Sequence, residues 1–123
     1  GLVNFCNKFG ITVMAYGSLV KGLYTSQHKT ETEYDLLNEK IVKDLAKKYN
    51  KSEGQIALNW GISKGFVVIP KSSNPKRMRD NLDATNFKMS DEDLKELDKL
   101  ECGKRFCDDI DRWEDFGQVD IFA

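Results

Sequence analysis

Residues 68–81 read Val68-Ile69-Pro70-Lys71-Ser72-Ser73-Asn74-Pro75-Lys76-Arg77-Met78-Arg79-Asp80-Asn81. An apolar run, Phe66–Ile69, stops at Pro70, and four cations follow within nine residues. A short, wholly apolar run is the mark of a strand covered on both faces. Asn74-Pro75 predicts a helix start, with Asn as N-cap and Pro at the first helical position. Free backbone N–H groups at such a helix start carry about half a positive charge. Ser72, Ser73 and Asn74 add neutral donors; Lys71 and Arg77 add charge, and Arg offers the fork that suits phosphate. Ligands of open α/β folds and barrels gather at the carboxyl ends of strands. Spacing alone leaves two readings open: a phosphate-binding loop, or a solvated basic helix start whose cations pair with Asp80 and Asp83.

Outward from this stretch, Leu2, Cys6 and Phe9 fall at helical spacing before Gly10, a natural helix stop. Ile11–Ala15 reads as a second buried strand, ending at Tyr16-Gly17. Residues 17–33 are polar and irregular, long enough for a functional loop. Leu37, Ile41 and Leu45 predict one face of a helix over about 35–49. Ser52-Glu53-Gly54-Gln55 is a capping box opening a helix with Ile56, Ala57 and Trp60 that ends near Gly65. Ser90 starts the last helix, with Met89 and Leu94 placed as a hydrophobic staple and Leu94, Leu97 and Leu100 as its buried edge. Two parallel-type strands joined by helices make a βαβ element, an α/β arrangement. Two strands are too few for an independent sheet, so the 123 residues look like part of a larger α/β fold.

Composition bounds the function. The net charge is −1 with 32% charged residues, so no overall basicity attracts nucleic acid and no acidic excess marks a disordered tail. The three cysteines, Cys6, Cys102 and Cys107, form no C-x-x-C, and the single histidine is His28. That set is too small for a disulfide framework or a zinc site, so reduced core thiols in a cytosolic protein are expected. No apolar run approaches the roughly 20 residues of a membrane span, and the opening residues lack a signal layout. Neither glycine-rich nucleotide motif is present. Residues 45–60 superficially resemble a DNA-binding helix-turn-helix, but Ser52–Gly61 carries no Lys or Arg to meet phosphates. Cys107-Asp108-Asp109-Ile110-Asp111 lacks calcium-loop spacing and reads as a solvated turn.

Residues 68–81 resemble the V-I-P-K-S-x-x-x-x-R-x-x-[ED]-N signature of the aldo-keto reductases. GITVMAYGSL is similar to that family's seventh strand and its A-Y-S-P-L turn; LAKKYNKSEGQIALNWGISKGFVVIPKS resembles its seventh helix running into the eighth strand. NLDATNFKMSDEDLKELDKL resembles the segment that follows, and the ending KRFCDDIDRWEDFGQVDIFA resembles the tails of xylose-reductase-like members. The resemblance implies the C-terminal part, about two and a half βα units plus tail, of a TIM (β/α)8 barrel that uses NADP(H). Such barrels need about 250 residues, so the expectation for residues 1–123 is a partial oxidoreductase domain without the N-terminal half of the barrel.

The resemblance also implies roles. Lys71, Ser72 and Asn74 would surround the phosphate on the adenosine ribose. Arg77 would pair with that phosphate and stack on adenine, and Asp80 and Asn81 would hold the adenine amino group. Tyr16 would stack under the nicotinamide. Gly17, Ser18 and Leu19 would begin the loop over the pyrophosphate, with Lys21 a replacement phosphate contact for the family serine that Gly17 displaces. Cys107 stands where xylose-reductase-like members carry the asparagine of R-F-N-D, a weak substrate position. The family's catalytic tyrosine, lysine, aspartate and histidine belong to its first half. His28, Tyr24, Tyr34 and Tyr49 fall in the wrong elements, so no general acid can be named here and these residues alone are expected to be inactive. The implied function is reduction of aldehydes, ketones or open-chain sugars. The alternative is a nucleotide-binding or assembly remnant of the barrel that oligomerises or docks on a complementing half.

Overall fold

The computed structural model describes residues 1–19 and 35–103. Helix α1 spans Leu2–Lys8, strand β1 Met14–Ala15, helix α2 Lys40–Tyr49, helix α3 Glu53–Ser63, strand β2 Val67–Val68, helix α4 Pro75–Asp83 and helix α5 Asp91–Asp98; a 3-10 turn at Leu36–Asn38 precedes α2. No helix among the described residues is long and apolar enough to cross a membrane.

Local signals account for these boundaries. Asn50, in the left-handed region, ends α2, a conformation asparagine tolerates. The Ser52 hydroxyl accepts from the Gln55 backbone, and the Gln55 side chain accepts from the Ser52 backbone. This is the reciprocal capping box that the sequence implied. Ser90 caps α5 by accepting from the Asp93 N–H.

The core lies between α2, α3 and α5. Val42, Leu45, Ala46, Ile56, Met89 and Leu97 are buried in one cluster, with Leu36, Ile41, Trp60, Leu94 and Leu100 packed against it. The helical face expected through Leu37 is therefore shifted. Leu37 sits in the 3-10 turn, separated from α2 by Glu39, and Leu36 is the residue that reaches the core. Met89 is buried in that core and Leu94 packs against it, the placement a staple requires. Side-chain clamps tie the helices at the rim. The Tyr49 hydroxyl and Lys48 donate to Asp93, and Trp60 Nε1 and Lys64 donate to Asp98.

β1 and β2 pair in parallel, Met14 opposite Val67 and Ala15 opposite Val68, and the Val67 N–H donates to the Val13 carbonyl at 3.0 Å. The βαβ reading holds, but the expectation that both strands are buried does not. Met14 is 61% exposed and Val67 41%. Val68 faces α3, where a Cβ added to Gly61 would lie 3.1 Å from the Val68 Cγ1. One sheet face is thus packed on α3, and the other is uncovered by the described residues. Apolar runs like Phe66–Ile69 suit a sheet covered on both sides; here only one cover is present. Cys6 is buried as expected, whereas Cys102, just beyond the end of α5, is exposed.

Candidate functional site

Parallel pairing puts the carboxyl ends of β1 and β2 side by side. Tyr16, Gly17, Ser18 and Leu19 follow β1 as a turn, and Ile69 to Ser73 follow β2 into α4. The two segments singled out in the sequence therefore meet at one end of the sheet. Gly17 has φ +65°, a left-handed conformation that glycine takes without steric cost. The Ser18 hydroxyl donates to the Ala15 carbonyl at 2.8 Å, which fastens the turn to the end of β1. Tyr16 is exposed, presenting a flat ring.

At the start of α4 the Ser72 hydroxyl accepts from the Asn74 N–H at 3.1 Å. The Asn74 side-chain carbonyl accepts from the N–H groups of Lys76 and Arg77, at 2.9 and 3.1 Å. Pro75 has no N–H, and the Met78 N–H donates to the Asn74 carbonyl. The expectation of outward-pointing, free backbone donors is therefore corrected: the capping oxygen of Asn74 occupies them. An anion at this helix start would therefore meet side chains rather than the N–H groups of Lys76 and Arg77. Lys71, Asn74 and Arg77 are exposed; Ser72, Asp80 and Asn81 are half-buried. The amide nitrogen of Asn74 is the donor end of that side chain.

The charge pattern mixes the two readings left open by spacing. Lys76 pairs with Asp80 at 2.9 Å. Asp83 is taken instead by Lys51, at 2.6 Å, and by the Gln55 amide, at 2.8 Å. The Lys51 bond, then that from Asn86, holds the Asp83 carboxyl below the usual carboxylate range. These groups line a polar groove of about 410 Å³ between the α2–α3 connection and α4, edged by Asn50, Lys51, Ser52, Gln55, Lys76, Asp80 and Asp83. The groove was not anticipated. Its signal is the i, i+4, i+7 spacing of residues 76, 80 and 83, which aligns them on one helical face. Lys21 and Cys107, also singled out, lie outside the described residues, as do His28, Tyr24 and Tyr34.

Residues 1–101 match a model of the aldo/keto reductase family. A probable NAD(P)H-dependent D-xylose reductase of Emericella nidulans is 38% identical over 109 residues, covering 87% of this chain and 34% of that protein. The 4-dihydromethyl-trisporate dehydrogenase of Mucor mucedo is 41% identical over 110 residues, with the same coverage of both chains. Among solved structures, an aldo-keto reductase enzyme from a Medee basin deep-sea metagenome library superposes with TM-score 0.69 at 35% identity, covering 83% of this chain and 34% of its own. The chain thus spans about a third of the length of the curated relatives it matches.

Proposed function

The chain belongs to the aldo/keto reductase family, and from that premise we propose that it is the portion of an NADP(H)-dependent carbonyl reductase that grips the adenosine end of the cofactor. The observation that carries this reading is the meeting of two segments at the carboxyl ends of paired parallel strands, a turn exposing Tyr16 and a loop into α4 exposing Lys71 and, in the first turn of the helix, Arg77. Relatives described as NAD(P)H-dependent support it. Lys71, Ser72, Asn74 and Arg77 would hold the phosphate on the adenosine ribose, Asp80 and Asn81 the adenine amino group, and Gly17, Ser18 and Leu19 the pyrophosphate. Lys21 and Cys107 keep their proposed roles at the pyrophosphate and the substrate.

In this reading β1 and β2 are neighbouring strands of a (β/α)8 barrel, and the exposed face of Met14, Tyr16, Val67 and Ile69 is part of its interior. The bound cofactor would supply hydride to an aldehyde, ketone or open-chain sugar, and these residues would orient it. The proton donor would come from barrel elements outside these 123 residues. A helix-turn-helix role is set aside because α3 buries Gln55, Ile56, Ala57, Leu58 and Asn59, leaving little of it to enter a groove. Titrating the 123-residue chain with NADPH and assaying it with a reactive aldehyde tests the division of labour. Binding without turnover is the expected result; clear turnover would overturn it.

One observation favours a second reading, a nucleotide-binding or assembly remnant. Apolar side chains stay exposed on α1, both strands and α4, a surface suited to a complementing half or another copy.

A further inference from the structure

Lys76 has no place in the set of cofactor contacts so far assigned. It is the second residue of α4, and its Nζ lies 2.9 Å from Asp80 Oδ2 one turn further on. The two side chains differ in exposure: Lys76 is 78% open to solvent and Asp80 only 26%. Both edge the groove beside the α2–α3 connection. The groove's other carboxylate, Asp83, is tied down by Lys51, Gln55 and Asn86. Lys76 is held far less firmly, because an exposed i, i+4 pair contributes little and its long stem is free to turn.

Two facts give that mobile cation a use. Asn74 has already taken the N–H groups of Lys76 and Arg77 in the first turn, so a phosphate at this helix start gains more from side-chain charge than from those two donors. A phosphate monoester carries close to two negative charges near neutral pH, a stronger partner for an ammonium than one solvated carboxylate. We propose that Lys76 is a further binding residue for the 2′-phosphate of the nucleotide, paired with Asp80 until the ligand arrives and then turned toward the phosphate. The exchange releases the Asp80 carboxylate to accept from a donor on the ligand. This rests on the cofactor reading above and adds a residue to it.

The test is Lys76→Gln, titrated with NADP⁺ and with NAD⁺ beside the unsubstituted chain. Lys76 is exposed, so the fold should be retained, and circular dichroism checks that. The expected result is that NADP⁺ binding weakens about fivefold, NAD⁺ binding is unchanged, and the salt dependence of NADP⁺ binding becomes shallower. If the unsubstituted chain prefers NADP⁺ and Lys76→Gln does not alter that preference, the role of Lys76 is overturned and the cofactor reading stands. Equal weakening for both nucleotides also overturns it, since the effect would not pass through the 2′-phosphate. An unsubstituted chain that binds neither nucleotide overturns the cofactor reading and this proposal with it.

Discussion

Met14 of β1 stands directly opposite Val67 of β2 in the parallel register, and both side chains point away from α3 into solvent. Tyr16 and Ile69, each just past its strand, are exposed as well. A contiguous apolar sheet face of this kind marks an interaction surface. Sedimentation or gel filtration of the 123-residue chain should show concentration-dependent association. Met14→Lys with Val67→Lys should shift it toward smaller species. A monomer at all concentrations, unmoved by the double substitution, would show that the face needs no cover.

How far the sequence carried the fold depends on which signals are local. Caps at Ser52, Asn74 and Ser90 and the apolar spacing of Ile56, Leu94 and Leu97 concern neighbours a few residues apart, and they place α3, α4 and α5. The strands were found, but their burial was not. The composition of Phe66–Ile69 records a sheet covered on two faces, and these residues supply one. At the site, the positions of Lys71 and Arg77 were legible from motif spacing. The occupation of the α4 N–H groups by Asn74 was not, because an N-cap and an anion compete for the same donors and the same residues advertise both. The Lys51–Asp83 bond joins residues 32 apart, which no local pattern reports.

Asn59 is a buried tie between helices. Its Nδ2 donates to the carbonyls of Ala84 and Phe87, each at 2.8 Å, which pins the end of α4 against α3. Asn59→Leu keeps the branched outline, with bulkier methyl groups, but strands those two acceptors. The expected cost is about 2–4 kcal/mol, read as a lower urea midpoint. An unchanged midpoint would mean that the carbonyls find other donors.

Acid should loosen the helix clamps. Lys48, then Tyr49, hold the Asp93 carboxyl below its ordinary range, and Lys64, then Trp60, do the same for Asp98. A carboxylate whose folded pKa is depressed stabilises the fold above its unfolded value, about 3.9. That stabilisation is lost as pH falls from there through the folded value. Thermal midpoints should therefore be insensitive to these groups between about pH 5 and 8 and should fall below about pH 4. Asp98→Asn should flatten the acid limb; an identical limb in the variant would remove Asp98 from the account.

The central claim is that the loop from Lys71 into the first turn of α4 at Arg77 grips the phosphate on an adenosine ribose, and Arg77→Ala tests it most directly. A charge-assisted bond to phosphate is worth about 1.5–3 kcal/mol, so NADPH affinity of the 123-residue chain should drop by about ten- to a hundredfold. NADH affinity should change much less. NADPH affinity that survives the substitution intact would contradict the claim.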